Sequence, residues 1–139
     1  MAGNAGIGQG RAAAPAVQTA SQRAGAPVAK YGNKKSVAAD GTTFDSRAEH
    51  RRWAHLCQLQ AMSLISDLRR QVVFEMVPSV KFAGAARARP AIRYIADFVY
   101  LENGIEVIED VKGVETPEFK IKRHLMKALL GLEVKVVKK

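Results

Sequence analysis

A single cysteine, Cys57, is the only thiol in the chain, so an internal disulfide and a cysteine-built metal site are both excluded. A lone thiol fits a reducing cytoplasm, the expected location. No run of about 18 apolar residues occurs, which removes a membrane-spanning helix. The small residues near the N-terminus never condense into the apolar core of a signal peptide. A Ser-His-Asp arrangement, a phosphate loop and a Gly-rich dinucleotide turn are all missing. His50, His55 and His124 have no metal-ligand spacing. Residues 1–30 contain no acid and no aromatic; they hold ten Ala and five Gly, with Arg11, Arg23 and Lys30 as their only charges. Such a segment buries too little apolar surface to offset its ordering entropy. We expect a flexible basic tail over 1–30, serving either as a non-specific DNA-binding arm or as a linker, and one domain over 31–139.

Acid is scarce as well. Twenty-two Lys and Arg against 13 Asp and Glu give a net charge of +9, and the part after the tail keeps +6. This balance favours a polyanionic partner. No basic amphipathic helix with bulky apolar anchors is present, so nucleic acid is expected rather than a membrane surface.

From Tyr31 the pattern is that of a folded domain. Asp45-Ser46 is a helix start, and the helix is expected to reach about Met62 with Trp53, Leu56 and Leu64 on one side. Gln71 to Val77 and Ala91 to Leu101 are rich in β-branched and aromatic residues and read as strands. Between them, residues 78–90 form a loop with Lys81, Arg87 and Arg89 and no acid. Asn103-Gly104 is a two-residue hairpin turn, and Ile105 to Lys112 is the return strand. Thr116 as N-cap, Pro117 at the first helical position and Gly131 after the end delimit a second helix. Leu132 to Val137 is a last strand. The order α-β-β-β-α-β predicts a mixed α/β (α+β) fold with a sheet flanked by helices.

The hairpin carries the main functional inference. With a two-residue turn, Glu102 faces Ile105, and the same register sets Asp97 opposite Asp110. Alternation then puts Ile95 and Val99 on the face of Asp97, and Ile108 and Lys112 on the face of Asp110. Facing carboxylates with Cβ atoms roughly 4.5–5.5 Å apart repel each other. A divalent cation such as Mg²⁺, which takes one or two carboxylates and keeps water and phosphate for its other positions, would compensate them. Glu109 is expected to point to the other face with Phe98. Lys112 projects beside Asp110, where it can orient a water or neutralise a phosphate; its plainer reading is a surface pair with Asp110. Glu49, three residues after Ser46, has capping-box spacing. It also falls on the helix face of Trp53 and Leu56, where an inward carboxylate calls for a metal or water to receive it. On the second helix Lys120, Arg123, His124 and Lys127 recur at i, i+3, i+4, i+7 beside an apolar stripe of Ile121, Leu125 and Leu129. The basic row is either a solvated face or a phosphate contact.

The strings YGNKK, GTTFDSRAE, YIADFVY and EDVKG followed by TPEFK, with the Gln71 strand, resemble a phage-encoded family of small PD-(D/E)XK-like nucleases. The first helix is similar to those of junction-resolving and transposon end-cutting endonucleases. The resemblance covers Tyr31 to Phe119, and its most specific part is the DFVY and DVKG pair. It implies a restriction-endonuclease-like αβββαβ core and Mg²⁺- or Mn²⁺-dependent phosphodiester hydrolysis. It implies metal ligands at Asp97 and Asp110, the catalytic lysine at Lys112 and a helical acid at Glu49. The acid before the lysine is Asp where Glu is more usual, which the motif permits.

The expected function is therefore DNA cleavage. No helix-turn-helix or zinc finger is present to read bases, so DNA shape, with branched recombination or replication intermediates foremost, is the expected target. Arg87, Arg89, Lys120, Arg123 and Lys127 are the expected DNA contacts. Cutting both strands with so small a domain calls for a symmetric homodimer. The competing reading is a non-catalytic basic DNA-binding protein that keeps the nuclease fold.

Overall fold

Ser46 takes an extended backbone, and its hydroxyl accepts the Glu49 amide at 3.1 Å, which starts helix α1 (Arg47–Ala61). This start lies within a computed structural model that describes residues 34–139; the tail expected over 1–30 falls outside the described residues. Two short antiparallel strands, β1 (Ser36–Val37) and β2 (Thr43–Phe44), precede the helix. At two residues each they carry no periodicity that a sequence could display. The chain leaves the helix through Ser63 in the left-handed region, φ 60°. That turn rotates the following residues, so Leu64 is exposed at 55% and Ile65 goes inward instead.

The main sheet has the order β3 (Ser66–Val77), β4 (Ile92–Glu102), β5 (Ile105–Lys112), β6 (Val134–Lys138). Asn103 and Gly104 take φ 52° and 75°, the doubly left-handed conformation that a two-residue hairpin requires. Helix α2 (Pro117–Leu130) is capped by the Thr116 hydroxyl at 3.2 Å from the Phe119 amide and ends at left-handed Gly131, φ 68°. It crosses over so that β6 runs parallel to β5. The α-β-β-β-α-β order predicts this mixed fold correctly. Strand β3 starts earlier than the expected Gln71, because Asp67, Arg69 and Arg70 hide its first half from a search for apolar alternation.

Helices α1 and α2 lie on opposite faces of the sheet, each with its own core. Leu56, Ile65, Phe98, Tyr100 and Val111 pack beneath α1; Val72, Phe74, Tyr94, Val99, Ile108, Phe119 and Met126 pack beneath α2. Truncating fully buried Leu56 or Met126 to Ala is worth about 2–5 kcal/mol. On α2 the buried line is Phe119 and Met126, flanked by Leu125 and Leu130. Of the expected stripe only Leu125 packs; Ile121 and Leu129 are exposed, because the helix is rotated toward Phe119.

The two clusters expose an irregularity that strict alternation hides. Residues 107, 108, 109, 110 and 111 of β5 alternate between the two faces as a strand should. In β4, however, Tyr94 and Ala96 serve the α2 core while Phe98 and Tyr100 serve the α1 core. In β3, Leu68 packs under α1 while Val72 and Phe74 pack under α2. All are even-numbered, so both strands change faces between these residues. The change falls where Gln71, in the left-handed region at φ 53°, stands across from Asp97.

Candidate active site

Asp97 occupies the place where β4 and β5 part. Paired residues run regularly from Glu102↔Ile105 to Phe98↔Glu109 and then stop. Hydrogen-bonded pairs alternate along an antiparallel ladder, so the next amide, that of Val111, would reach the Ala96 carbonyl. The Asp97 carboxylate takes it instead, with Oδ2 2.8 Å from the Val111 nitrogen. Its Oδ1 accepts a long bond from Gln71 Nε2 at 3.4 Å, tying the carboxylate to the same residue that turns β3 over.

Asp110, almost wholly buried, stands beside it. Its Oδ2 accepts the Tyr94 hydroxyl. Its Oδ1 is buried with no aligned hydrogen-bond donor; the Lys112 ammonium is 3.0 Å away but not oriented to donate. That ammonium also lies 4.9 Å from the centre of the Phe119 ring, which fixes it at the α2 side of the sheet. Burial, then the charges of Asp110 and Glu49, push the Asp97 carboxyl up to about 8, against a smaller opposing effect from the Val111 amide. Tyr94 is held well above the ordinary tyrosine range by burial and by Asp110, with Arg123 of α2 acting the other way.

Glu49 is buried and its carboxyl is raised, first by burial, then by Asp45, with Asp110 adding and Lys112 opposing. The capping reading of this residue is realised. The Ser46 half of the capping box is made, and the carboxylate is within electrostatic reach of Asp97, Asp110 and Lys112. Glu109 faces away. Arg52 Nε and Nη2 hold its carboxylate at 2.9 and 2.7 Å, the Tyr100 hydroxyl donates at 2.5 Å, and Lys135 Nζ is 3.6 Å off. Burial alone would raise its pKa, but the Arg52 and Tyr100 hydrogen bonds outweigh that and lower it.

Sequence reasoning missed Tyr94, Gln71 and Arg52. Alternation puts Ile95, not Tyr94, beside Asp97 and Asp110; only the change of face brings the tyrosine hydroxyl in. No local signal marks Gln71, a residue type with little preference for positive φ.

Lys120, Arg123, His124 and Lys127 line one concavity of about 390 Å³ with Glu133 and Val134. Arg123 is 3.4 Å from Glu115, and Lys127 is 2.9 Å from Glu133. Arg87 and Arg89 sit on an exposed segment, where Val80 and Arg89 exchange backbone hydrogen bonds of 3.1 and 2.6 Å.

Among the described residues no group of three or more His, Cys, Asp or Glu side chains is placed to hold a metal ion. The donor set is two carboxylates, one with an oxygen that lacks an aligned donor. This suits a hard cation such as Mg²⁺ that keeps water in its other positions.

Fold and site together define a mixed α+β protein with one buried and one half-buried carboxylate and a lysine gathered at a parting of strands. The chain belongs to the family described as "Protein of unknown function (DUF1064)", which it matches over residues 28–137. No curated protein and no solved structure matches it. Among the described residues no helix is long and apolar enough to cross a membrane.

A pH prediction follows from Asp97. Its folded pKa of about 8 lies above the ordinary 3.8, so between those values the folded state binds more protons than the unfolded one. Stability must then fall as pH rises across that window. In EDTA, the melting temperature of the native protein should drop from pH 4 to pH 8 relative to that of Asp97→Asn. Parallel curves for the two proteins would show that Asp97 is not strained by its surroundings.

Proposed function

We propose that this protein is a metal-dependent DNA endonuclease that hydrolyses phosphodiester bonds, selects branched or otherwise distorted DNA, and acts as a homodimer. The observation that carries the reading is the pairing of half-buried Asp97 with buried Asp110, in which Asp110 Oδ1 has no aligned donor although Lys112 is near. A Mg²⁺ or Mn²⁺ ion held by Asp97 and Asp110 would supply Lewis acidity toward the scissile phosphate and acidify a bound water. The chain's own groups prepare that place. Tyr94 holds Asp110 Oδ2 so that Oδ1 stays available, and the Val111 amide holds Asp97 in the gap between strands. Lys112, as an ammonium, balances the added negative charge of a phosphate and can orient an attacking water. Glu49 serves as an outer carboxylate that orients water, not as a direct ligand.

The test is incubation with plasmid, single-stranded and four-way-junction DNA in Mg²⁺, Mn²⁺ or EDTA. Cleavage dependent on the metal supports the reading; no cleavage overturns it in favour of a DNA-binding protein without catalysis, and equal cleavage in EDTA overturns the metal dependence. Binding should also depend on the α2 row. Changing Lys120, Arg123 and Lys127 together to Gln should reduce the slope of log affinity against log salt by about 0.9 for each phosphate that is no longer neutralised. An unchanged slope would reduce that row to a solvated face.

A further inference from the structure

Residues 78–91 leave the end of β3 and return to β4 as an arm. Val80 and Arg89 pair through their backbones, and residues 81–88 close the tip. Inside the tip the Ala85 amide donates to the Phe82 carbonyl at 3.0 Å, and Gly84 takes φ 77°, so the turn has a defined shape. Of the five phenylalanines in the chain, four are buried to 6% exposure or less, and Phe82 alone stands 63% exposed. Val80 and Ile92 beside it are also exposed. One exposed aromatic is ordinary by itself. Its surroundings are not: residues 78–91 carry Lys81, Arg87 and Arg89 without any acid. Where Arg123 and Lys127 of α2 have Glu115 and Glu133 as ion-pair partners, these three arm cations have none among the described residues.

We propose that the arm is a nucleic-acid contact in which Phe82 stacks on, or wedges beside, an unstacked base while Lys81, Arg87 and Arg89 hold the flanking phosphates. A base offers the π-face that an exposed phenyl ring can use, and phosphates answer three unpaired cations. The pre-shaped turn lets the ring bind without a large ordering cost. Wedging costs least where a base is already unpaired, so the contact favours bulges and junctions over regular duplex. The arm also lies at the catalytic end of the sheet. Asp97 is five residues along β4 from Ile92, about 16 Å at roughly 3.3 Å per residue. This inference deepens the endonuclease reading by naming the part that recognises distorted DNA.

The test uses the full chain in EDTA, with a duplex, and the same duplex bearing one unpaired 2-aminopurine, as probes. The native protein should bind the bulged duplex more tightly and change the probe's fluorescence. Phe82→Ala should lose about tenfold on the bulged duplex and less than twofold on the regular one, while Phe82→Trp should keep the preference. Lys81, Arg87 and Arg89 changed to Gln should weaken both duplexes alike. Equal binding of the two probes by the native protein overturns the proposal, as does an unchanged preference in Phe82→Ala. Loss of a dimer on sedimentation of Phe82→Ala also overturns it, since the ring would then cover a second copy of the chain. The two readings fail separately. If the native protein and Phe82→Ala cut plasmid in Mg²⁺ alike but bind both probes alike, only the arm proposal falls. If bulge preference depends on Phe82 but no DNA is cut, only the endonuclease reading falls.

Discussion

Asp110→Asn should abolish DNA cleavage, lowering the single-turnover rate by at least about a thousandfold, while leaving the protein as stable in EDTA as before or more so. Asn keeps an acceptor for the Tyr94 hydroxyl, so that buried donor is not orphaned. What disappears is a negative charge beside Asp97, together with the 3.0 Å ion pair to Lys112. Relief of a like-charge contact then stabilises the metal-free fold. In a domain of this size about 1 kcal/mol moves the melting temperature by roughly 4–8 °C. Added Mg²⁺ should raise the melting temperature of the native protein and leave that of Asp110→Asn nearly unmoved. Cleavage at the native rate by this variant would remove Asp110 from the chemistry altogether.

Arg52→Ala should be the most damaging single change outside the apolar cores. It strips the fully buried Glu109 carboxylate of a two-pronged partner and leaves only the Tyr100 hydroxyl and a more distant Lys135. Breaking one side of a buried ion pair costs about 3–5 kcal/mol, which for this domain is a fall of roughly 12 °C or more in melting temperature. Glu109 has a folded pKa below its ordinary value, so its contribution is present above the ordinary carboxylate range and is lost as pH falls through the folded value. The deficit of Arg52→Ala should therefore be largest near neutral pH and shrink in acid. The double change Arg52→Leu with Glu109→Leu tests the cause: it should recover much of the loss if the stranded charge is responsible. Thermal melts at pH 7 and pH 4 read both outcomes, and a pH-independent loss would point to packing of the arginine stem instead.

What could be read from the sequence was whatever is encoded within a few residues. Asn103-Gly104 specifies its own hairpin, and Thr116, Pro117 and Gly131 mark both ends of α2. The hairpin register was enough to send Glu109 to the face away from Asp110, but the ladder stops at Phe98↔Glu109, so Asp97 and Asp110 are not the cross-strand pair that the register predicts. Illegible were the features that depend on distant partners or on an unusual backbone. Arg52 and Glu109 are 57 residues apart. Tyr94 joins Asp110 only because β3 and β4 turn over at Gln71 and Asp97, and nothing in the identity of a glutamine announces a positive φ. The rotation of α2 that buries Phe119 and exposes Ile121 is likewise set by packing, which overrides a helical stripe that on sequence alone looks equally good.

The turning-over of β3 and β4 also bears on cooperativity. A helix that owns one face of a sheet can peel away with its own core and leave the rest standing, as a separately unfolding unit. Here neither helix has that freedom. The same two strands line the α1 core with one half and the α2 core with the other, so disorder entering from either side reaches both. Amides on the two faces are then bound to a common opening event, and the carboxylates at the crossing point sit where the two halves are stitched together.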